Sequence, residues 1–329
     1  MINRERAMRA LRTVILRQLH GNSHHASLGT AVPRGRRASR VLSMLMLVQC
    51  GFVAVAAAGS LPATTDDVVV WAKESLIIGP DNVKLASGQI LVNDAGGTAV
   101  VHRYFAAGPD TAVIADTLTA MSGKTSLPEF FDLFTNNLST VNGATVLDGA
   151  PTRFTAPLFA FPTAPVVTPG TDACPKPARV PGNCIIKRKD GGQRITPGHY
   201  GVISVLNAGQ LTFAPGTYDV GSIRGGPRSE FLFEGTTTLN VANTMRVGYR
   251  SYFGPAFGTD PNGRCIVVNV AGDKVLIRPA ASMTATITAP DAEMMMAASG
   301  VYIGNFTARV VKMRKSVLLQ AAPHTPACQ

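Results

Sequence analysis

The chain reads as an all-β protein: a right-handed, single-stranded parallel β-helix (a β-solenoid) with one short accessory helix. Three observations predict this. Pro197-Gly198-His199-Tyr200 recurs as Pro215-Gly216-Thr217-Tyr218, eighteen residues on. Short apolar runs follow at a near-constant interval, as in Leu211-Thr212-Phe213 and Phe231-Leu232-Phe233. The 32 Gly and 22 Pro supply many turns and few long helical patterns. A unit of about twenty residues cannot bury its own apolar face, so neighbouring units must stack to make a core.

Residues 1–58 read as a leader. Nine Arg and one acid give the first forty residues a charge of +8. Val41–Ala58 is then free of charge and ends in Ala56-Ala57-Ala58. Basic segment, apolar segment and small-residue cut site are the parts of an export signal, here with an extended basic region. Eighteen apolar residues could also just span a bilayer, so an uncleaved leader is the one membrane contact expected. The chain's net charge of +11 falls to +3 once this segment is set aside, which argues against a nucleic-acid partner. Cys50 lies inside the apolar run and reads as part of it.

Export makes cysteines disulfide candidates. Cys174, Cys184, Cys265 and Cys328 allow three pairings; the expected ones are Cys174–Cys184 across a Pro-rich loop and Cys265–Cys328 at the tail. No Cys-x-x-Cys pair or His at ligand spacing points to zinc, and neither a metal nor a cofactor is expected.

Residues 59–150 carry N-terminal rungs: Val68–Trp71, Leu76–Ile78, Ile90–Val92, Val100-Val101 and Val113-Ile114, separated by Gly-, Pro- and Asn-rich turns. Ser126-Leu127-Pro128-Glu129 has the form of a capping box, and Phe130, Phe131, Phe134 and Leu138 follow at helical spacing, so the accessory helix is placed here. Residues 151–194 form a strap with a Cys loop; eight Pro between 151 and 181 exclude an interior strand. Lys187-Arg188-Lys189-Asp190 is a basic turn, able to face an acidic polymer but more simply a solvated turn. Residues 195–329 hold the clearest repeats and a tail. Whether the two repeat regions make one solenoid or two is open at this level.

The stretch 195–319 resembles bacterial secreted β-helix modules of uncharacterised function, of a type associated with pilus-assembly and surface proteins. The matching residues are the paired Pro-Gly-x-Tyr, the second continuing Asp219-Val220-Gly221-Ser222-Ile223; Thr286-Ile287-Thr288-Ala289-Pro290-Asp291-Ala292-Glu293; and Gly304-Asn305-Phe306-Thr307-Ala308-Arg309-Val310-Val311 as a final rung. Bactofilin-like polymerising solenoids are a more distant likeness. The resemblance implies an envelope or surface role and brings no catalytic residues. Met294-Met295-Met296 and Lys312-Met313-Arg314-Lys315 depart from the usual pattern, so irregular last rungs are expected.

Chemistry is sparse. There is no Gly-x-Ser-x-Gly and no phosphate-binding loop, and His24-His25, His102, His199 and His324 show no triad or metal spacing. A carbohydrate-active enzyme needs converging carboxylates, for which Asp291 and Glu293 are the best pair. The expected recognition surface is the loop segment carrying Tyr249, Tyr252, Phe253 and Phe257 with Arg246, Arg250 and Arg264, since rings stack on sugars and guanidinium pairs with acids. The resulting expectation is a non-catalytic, secreted, periplasmic or cell-surface structural or adhesive protein of a bacterium. Its partner would be an envelope polysaccharide or surface protein. The alternatives are a β-helix polysaccharide lyase or hydrolase and a polymer-forming scaffold. The Ser126 helix and the Cys-tethered tail are the expected end caps.

Overall fold

The structure, a computed structural model, describes residues 67–80, 82–102, 104–108, 111–121, 129–130, 132–141, 145–146, 158–175, 180–258 and 263–323. The leader, Cys328, Ser126 and the tail beyond 323 lie outside them. The described strands form one parallel β-solenoid with three faces. In the rung at 216–233, strand Gly216–Gly225 bends at Gly221 to supply face A (216–220) and face B (222–225), and Glu230–Phe233 supplies face C. Eleven strands stack on face C among the described residues, which therefore make eleven rungs, the first of them partial.

Numbered along the axis, rungs 1 to 7 are residues 184–195, 198–213, 216–233, 237–255, 266–284, 286–303 and 306–320. Rung 8 is residues 68–85. Rungs 9 to 11 are residues 88–107, 111–130 and 132–146. Chain order and stacking order therefore differ. Val68–Ile78 pairs with Phe306–Met313 on one side and Gly88–Val92 on the other, so the N-terminal block stacks on the C-terminal rung. One solenoid results, with its junction in the middle.

Alternation explains the core. On face A the inward ladder Tyr218, Leu239, Val268, Ile287, Phe306, Val70, Ile90, Val113 and Leu133 runs through the junction without a break. All nine are buried. The Pro-Gly-x-Tyr repeat acquires a physical reason here. Tyr200 and Tyr218 turn inward and stack 6.2 Å apart. Each hydroxyl donates to the carbonyl four residues earlier, Thr196 at 2.7 Å and Ala214 at 2.8 Å. Gly216 has φ of +133°, and a Cβ there would strike the Pro197 ring of the rung below.

Turns at the corner between faces B and C repeat just as closely. Ala208, Arg228, Arg250, Ala280, Ser299, Ser316, Asn82 and Tyr104 all sit there with φ between 52° and 63°. Backbone bonds link successive turns: Ala208 N to Pro227 O, Arg228 N to Tyr249 O, Arg250 N to Pro279 O, Ala280 N to Ala298 O and Ser299 N to Lys315 O. Stacking satisfies the turn amides and holds each left-handed residue in place.

Several expectations are corrected. The helix does not form: Glu129–Phe130 and Asp132–Val141 are strands, the latter paired along its length with Thr111–Met121. A local capping signal loses to a ready-made strand edge. Rung 1 begins at Cys184, ahead of the expected boundary at 195. The expected irregularity is present at one place: the register between rungs 6 and 7 shifts between Ala289 and Glu293, while Met294, Met296 and Met313 pack inward beyond it. Rung 7 is not final. Leu318–Gln320 lies between Val301–Ile303 and Val83–Leu85, so rung 7 is covered on both sides; the tail expected as a cap lies beyond residue 323, outside the described residues.

The described residues of the Pro-rich segment form no strand, and 158–161 lie against face A. The segment joins rung 11 at one end of the solenoid to rung 1 at the other. Face A's outward row reads His199, Asp219, Asn240, Asn269, Thr288, Thr307, Trp71, Leu91, Ile114 from rung 2 to rung 10. Leu158, Phe159 and Phe161 cover its apolar end; Trp71 packs edge-on against Phe159 and Phe161 at 6.0 and 5.2 Å. Asn93 accepts from Leu158 N and Phe159 N and donates to Phe159 O. At the other end Asp172 N donates to His199 O, and His199 N donates to the Asp172 carboxylate. The Cys174–Cys184 disulfide then ties the strap to rung 1, with Cys174 buried in the core. Cys265 is buried and disulfide-bonded; Cys328, its expected partner, lies outside the described residues.

Candidate functional site: a basic corner

The seven residues expected to form a recognition surface are divided by the alternation of the strands. Phe253 points inward, fully buried between Phe231 and Phe233, and cannot contact a ligand. Tyr252 points outward on face C and stacks with the exposed ring of Phe257 at 5.9 Å. Burial, then the Glu230 carboxylate, pushes the Tyr252 hydroxyl up to about 12. Arg264 lies past the loop, at the start of rung 5. Arg246 lies on face B of rung 4, and Tyr249 and Arg250 follow it at the B–C corner.

Rung 3 repeats this arrangement one step below. Arg224 is in register with Arg246 on face B. Arg228 and Arg250 occupy the left-handed positions of successive turns, at φ of 57° and 53°. All four side chains are exposed, and among the described residues none makes an ion pair. The Arg250 guanidinium lies 5.0 Å from the centre of the Tyr249 ring. Ser204, Leu206, Thr244, Arg224 and Arg246 line a shallow groove of about 520 Å³ floored by Gly225 and Gly226. The floor must be glycine-lined, because a Cβ on Gly225 would meet Gly248 N at 2.9 Å and one on Gly226 would meet Asn207 N at 2.9 Å.

Two local costs meet at this corner. Like charges in register on neighbouring strands oppose pairing, by roughly 0.2–1 kcal/mol. A side chain at positive φ costs roughly 1–2 kcal/mol relative to the right-handed region. Sequence reading missed Arg224 and Arg228. The available signal was the twenty-two-residue echo of Arg224-Gly225-Gly226-Pro227-Arg228 in Arg246-Val247-Gly248-Tyr249-Arg250.

Other groups are placed apart. Glu293 points outward from face B and pairs with Lys312 at 2.9 Å, while Asp291 is exposed at the preceding corner. His199 Nδ1 lies 3.1 Å from both the Asp219 carboxylate and Thr168 O. That carboxylate continues into an amide ladder, Asn240 donating to Asp219 and Asn269 to Asn240. The basic turn at 188–190 is a short 3₁₀ segment whose Asp190 carboxylate accepts from Lys187 N. Among the described residues no cluster of three or more His, Cys, Asp or Glu is arranged to hold a metal.

No protein-family model matches the chain, and no curated protein does. Two solved structures of an ice-binding protein from an Arctic yeast are similar in fold. The first, from work on its antifreeze activity, is 14% identical with a TM-score of 0.38. The second, of the glycosylated protein, is 14% identical with a TM-score of 0.31. Each match covers 80% of this chain and 94% of the other.

Proposed function

We propose that this chain is a non-catalytic adhesive or structural solenoid of the bacterial envelope or cell surface, and that its basic corner binds an acidic polysaccharide. The observation that carries the reading is the stack of four uncompensated Arg on rungs 3 and 4. Strands in a sheet repeat at about 4.8 Å, a pitch close to the advance of one extended sugar residue. Guanidinium forks suit carboxylates in such a series. Tyr249 adds a ring for stacking. The Cys174–Cys184 bridge fits an oxidising compartment, where such polymers are found.

The test is binding of polygalacturonate, with neutral pullulan as control, to the oxidised protein. Binding to polygalacturonate alone is expected, weakening with salt as ionic attraction is screened. Arg224→Ala with Arg246→Ala should reduce affinity about tenfold or more, since each charge-assisted bond lost is worth roughly 1.5–3 kcal/mol. Equal binding of pullulan, or an unaffected double variant, would refute the assignment.

A second reading rests on the other half of face B. Ser75, Thr98 and Thr117 form one outward rank on rungs 8 to 10, and Ile77, Val100 and Thr119 another. A flat array of hydroxyl and methyl groups at fixed pitch suits a repetitive surface, ice included. Bulky replacement of Thr98 and Val100 should then abolish any ice-growth inhibition; its absence in the unmodified protein would exclude this reading.

A further inference from the structure

A second, separate cavity lies farther along the same edge, where the C-terminal rungs meet the N-terminal block. Successive backbone bonds, Ala297 N to Ile277 O, Arg314 N to Met296 O and Gly79 N to Met313 O, stack Arg278, Ala297, Arg314 and Gly79 at one corner position. Arg278 and Arg314 are thus two rungs apart, roughly 10 Å, with alanine between them. Ala298 occupies the next position on rung 6, and Lys315 follows Arg314 on rung 7. The result is a notch one rung wide, walled by cations on both sides and enclosing about 470 Å³.

Its floor has a different character. Leu276 and Met295, in register on face B, point outward into it. Ala297 and Ala298 form its base, and Pro80 closes the far side. No acidic residue lines it. One polar atom there is unsatisfied: Arg278 Nε is buried and meets no acceptor. A buried donor without a partner costs roughly 1–3 kcal/mol; the donors an oxyanion in the notch would meet are the outer guanidinium N–H groups of Arg278 and Arg314.

We infer that this notch binds an amphiphilic anion, an oxyanionic head between Arg278 and Arg314 with an alkyl group lying over Leu276 and Met295. Neither feature alone specifies this. Cations on a polar floor would suit a free phosphate, and an apolar floor without cations would suit a neutral chain. The inference is independent of the polysaccharide reading, which uses Arg224, Arg228, Arg246 and Arg250.

The experiment titrates the oxidised protein calorimetrically with dodecyl phosphate below its micelle threshold. Inorganic phosphate and dodecyl maltoside serve as head-only and tail-only controls. Dodecyl phosphate should bind at least about tenfold more tightly than either control. Arg278→Ala with Arg314→Ala should lose about tenfold or more. Ala298→Leu, which keeps every charge and fills the notch from its base, should lose as much, while Arg224→Ala with Arg246→Ala should lose nothing. Equal binding of inorganic phosphate, equal binding of dodecyl maltoside, or an unaffected Ala298→Leu protein would each overturn the inference. Circular dichroism of the Ala298→Leu protein separates a blocked site from a damaged fold.

Discussion

Shortening the strap is the most demanding test of the architecture. Its two anchors on face A are Phe159, held by Asn93 on rung 9, and Thr168, which meets His199 on rung 2. Seven rung steps of about 4.8 Å separate them, roughly 34 Å. Nine residues of extended chain reach about 30 Å at roughly 3.3 Å each, rising to about 32 Å at full stretch. The Asn93 and His199 side chains supply the remainder, so the strap has no slack. Deleting Thr163 and Ala164 removes about 7 Å by the same measure. One anchor must then let go. Losing the Phe159 end would expose Trp71, Leu91 and Ile114, all buried. At roughly 1.5–3 kcal/mol for each large apolar side chain, that costs at least about 4 kcal/mol. Inserting Gly-Ser at the same place should cost only a few tenths of a kcal/mol in loop entropy. Urea unfolding is the assay. The deletion should lower the midpoint by about 1 M or more, for a slope near 3 kcal/mol/M, and the insertion should barely move it. Matching midpoints for the two variants would refute the taut-strap geometry.

Other outcomes follow from the same structure. Breaking the Cys174–Cys184 bridge by Cys184→Ser should cost about 2–4 kcal/mol; proteolysis should then cut first between 162 and 175. Phe253→Ala should destabilise by roughly 3–5 kcal/mol by opening a core cavity, whereas Tyr249→Ala, exposed at the corner, should leave unfolding midpoints within error. Burial raises the hydroxyls of Tyr218 and Tyr302 strongly, and that of Tyr252 to about 12. Their unfolded forms ionise near 10, so their contribution to stability is complete below pH 10 and is lost as pH rises from there toward the folded values. Absorbance at 295 nm should show these three ionising only as the circular dichroism signal collapses.

Much of the fold was legible because period and turn chemistry are local. The Pro-Gly-x-Tyr pair, the apolar triplets and the Pro-rich strap each declare themselves within a few residues. Stacking order does not. Nothing near Val70 indicates that Phe306 is its neighbour, since both are apolar strand residues and the pairing joins distant segments. The helix was misread for the converse reason: the signal at 126–129 was local, and the edge of Thr111–Met121 that overrides it was not. The site was half legible. Which aromatics face outward depends on strand parity, and one residue's displacement sends Phe253 inward and Tyr252 outward. Arg224 and Arg228 become partners of Arg246 and Arg250 only once rung length sets their register.

The junction between rungs 7 and 8 has a consequence for biogenesis. Asn305 donates to Val68 O across 237 positions of sequence. The block at 67–146 is made early, yet the strand edge it presents at Val68–Ile78 has no native cover until Phe306–Met313 has been made. An open parallel edge is a template for pairing with other chains, and contacts this distant in sequence form slowly. Assembly must therefore wait for nearly the whole chain. A product truncated before rung 7 would keep its strap and its early strands but carry a sticky edge, so proteolytic or translational shortening should yield aggregate rather than a shorter working solenoid.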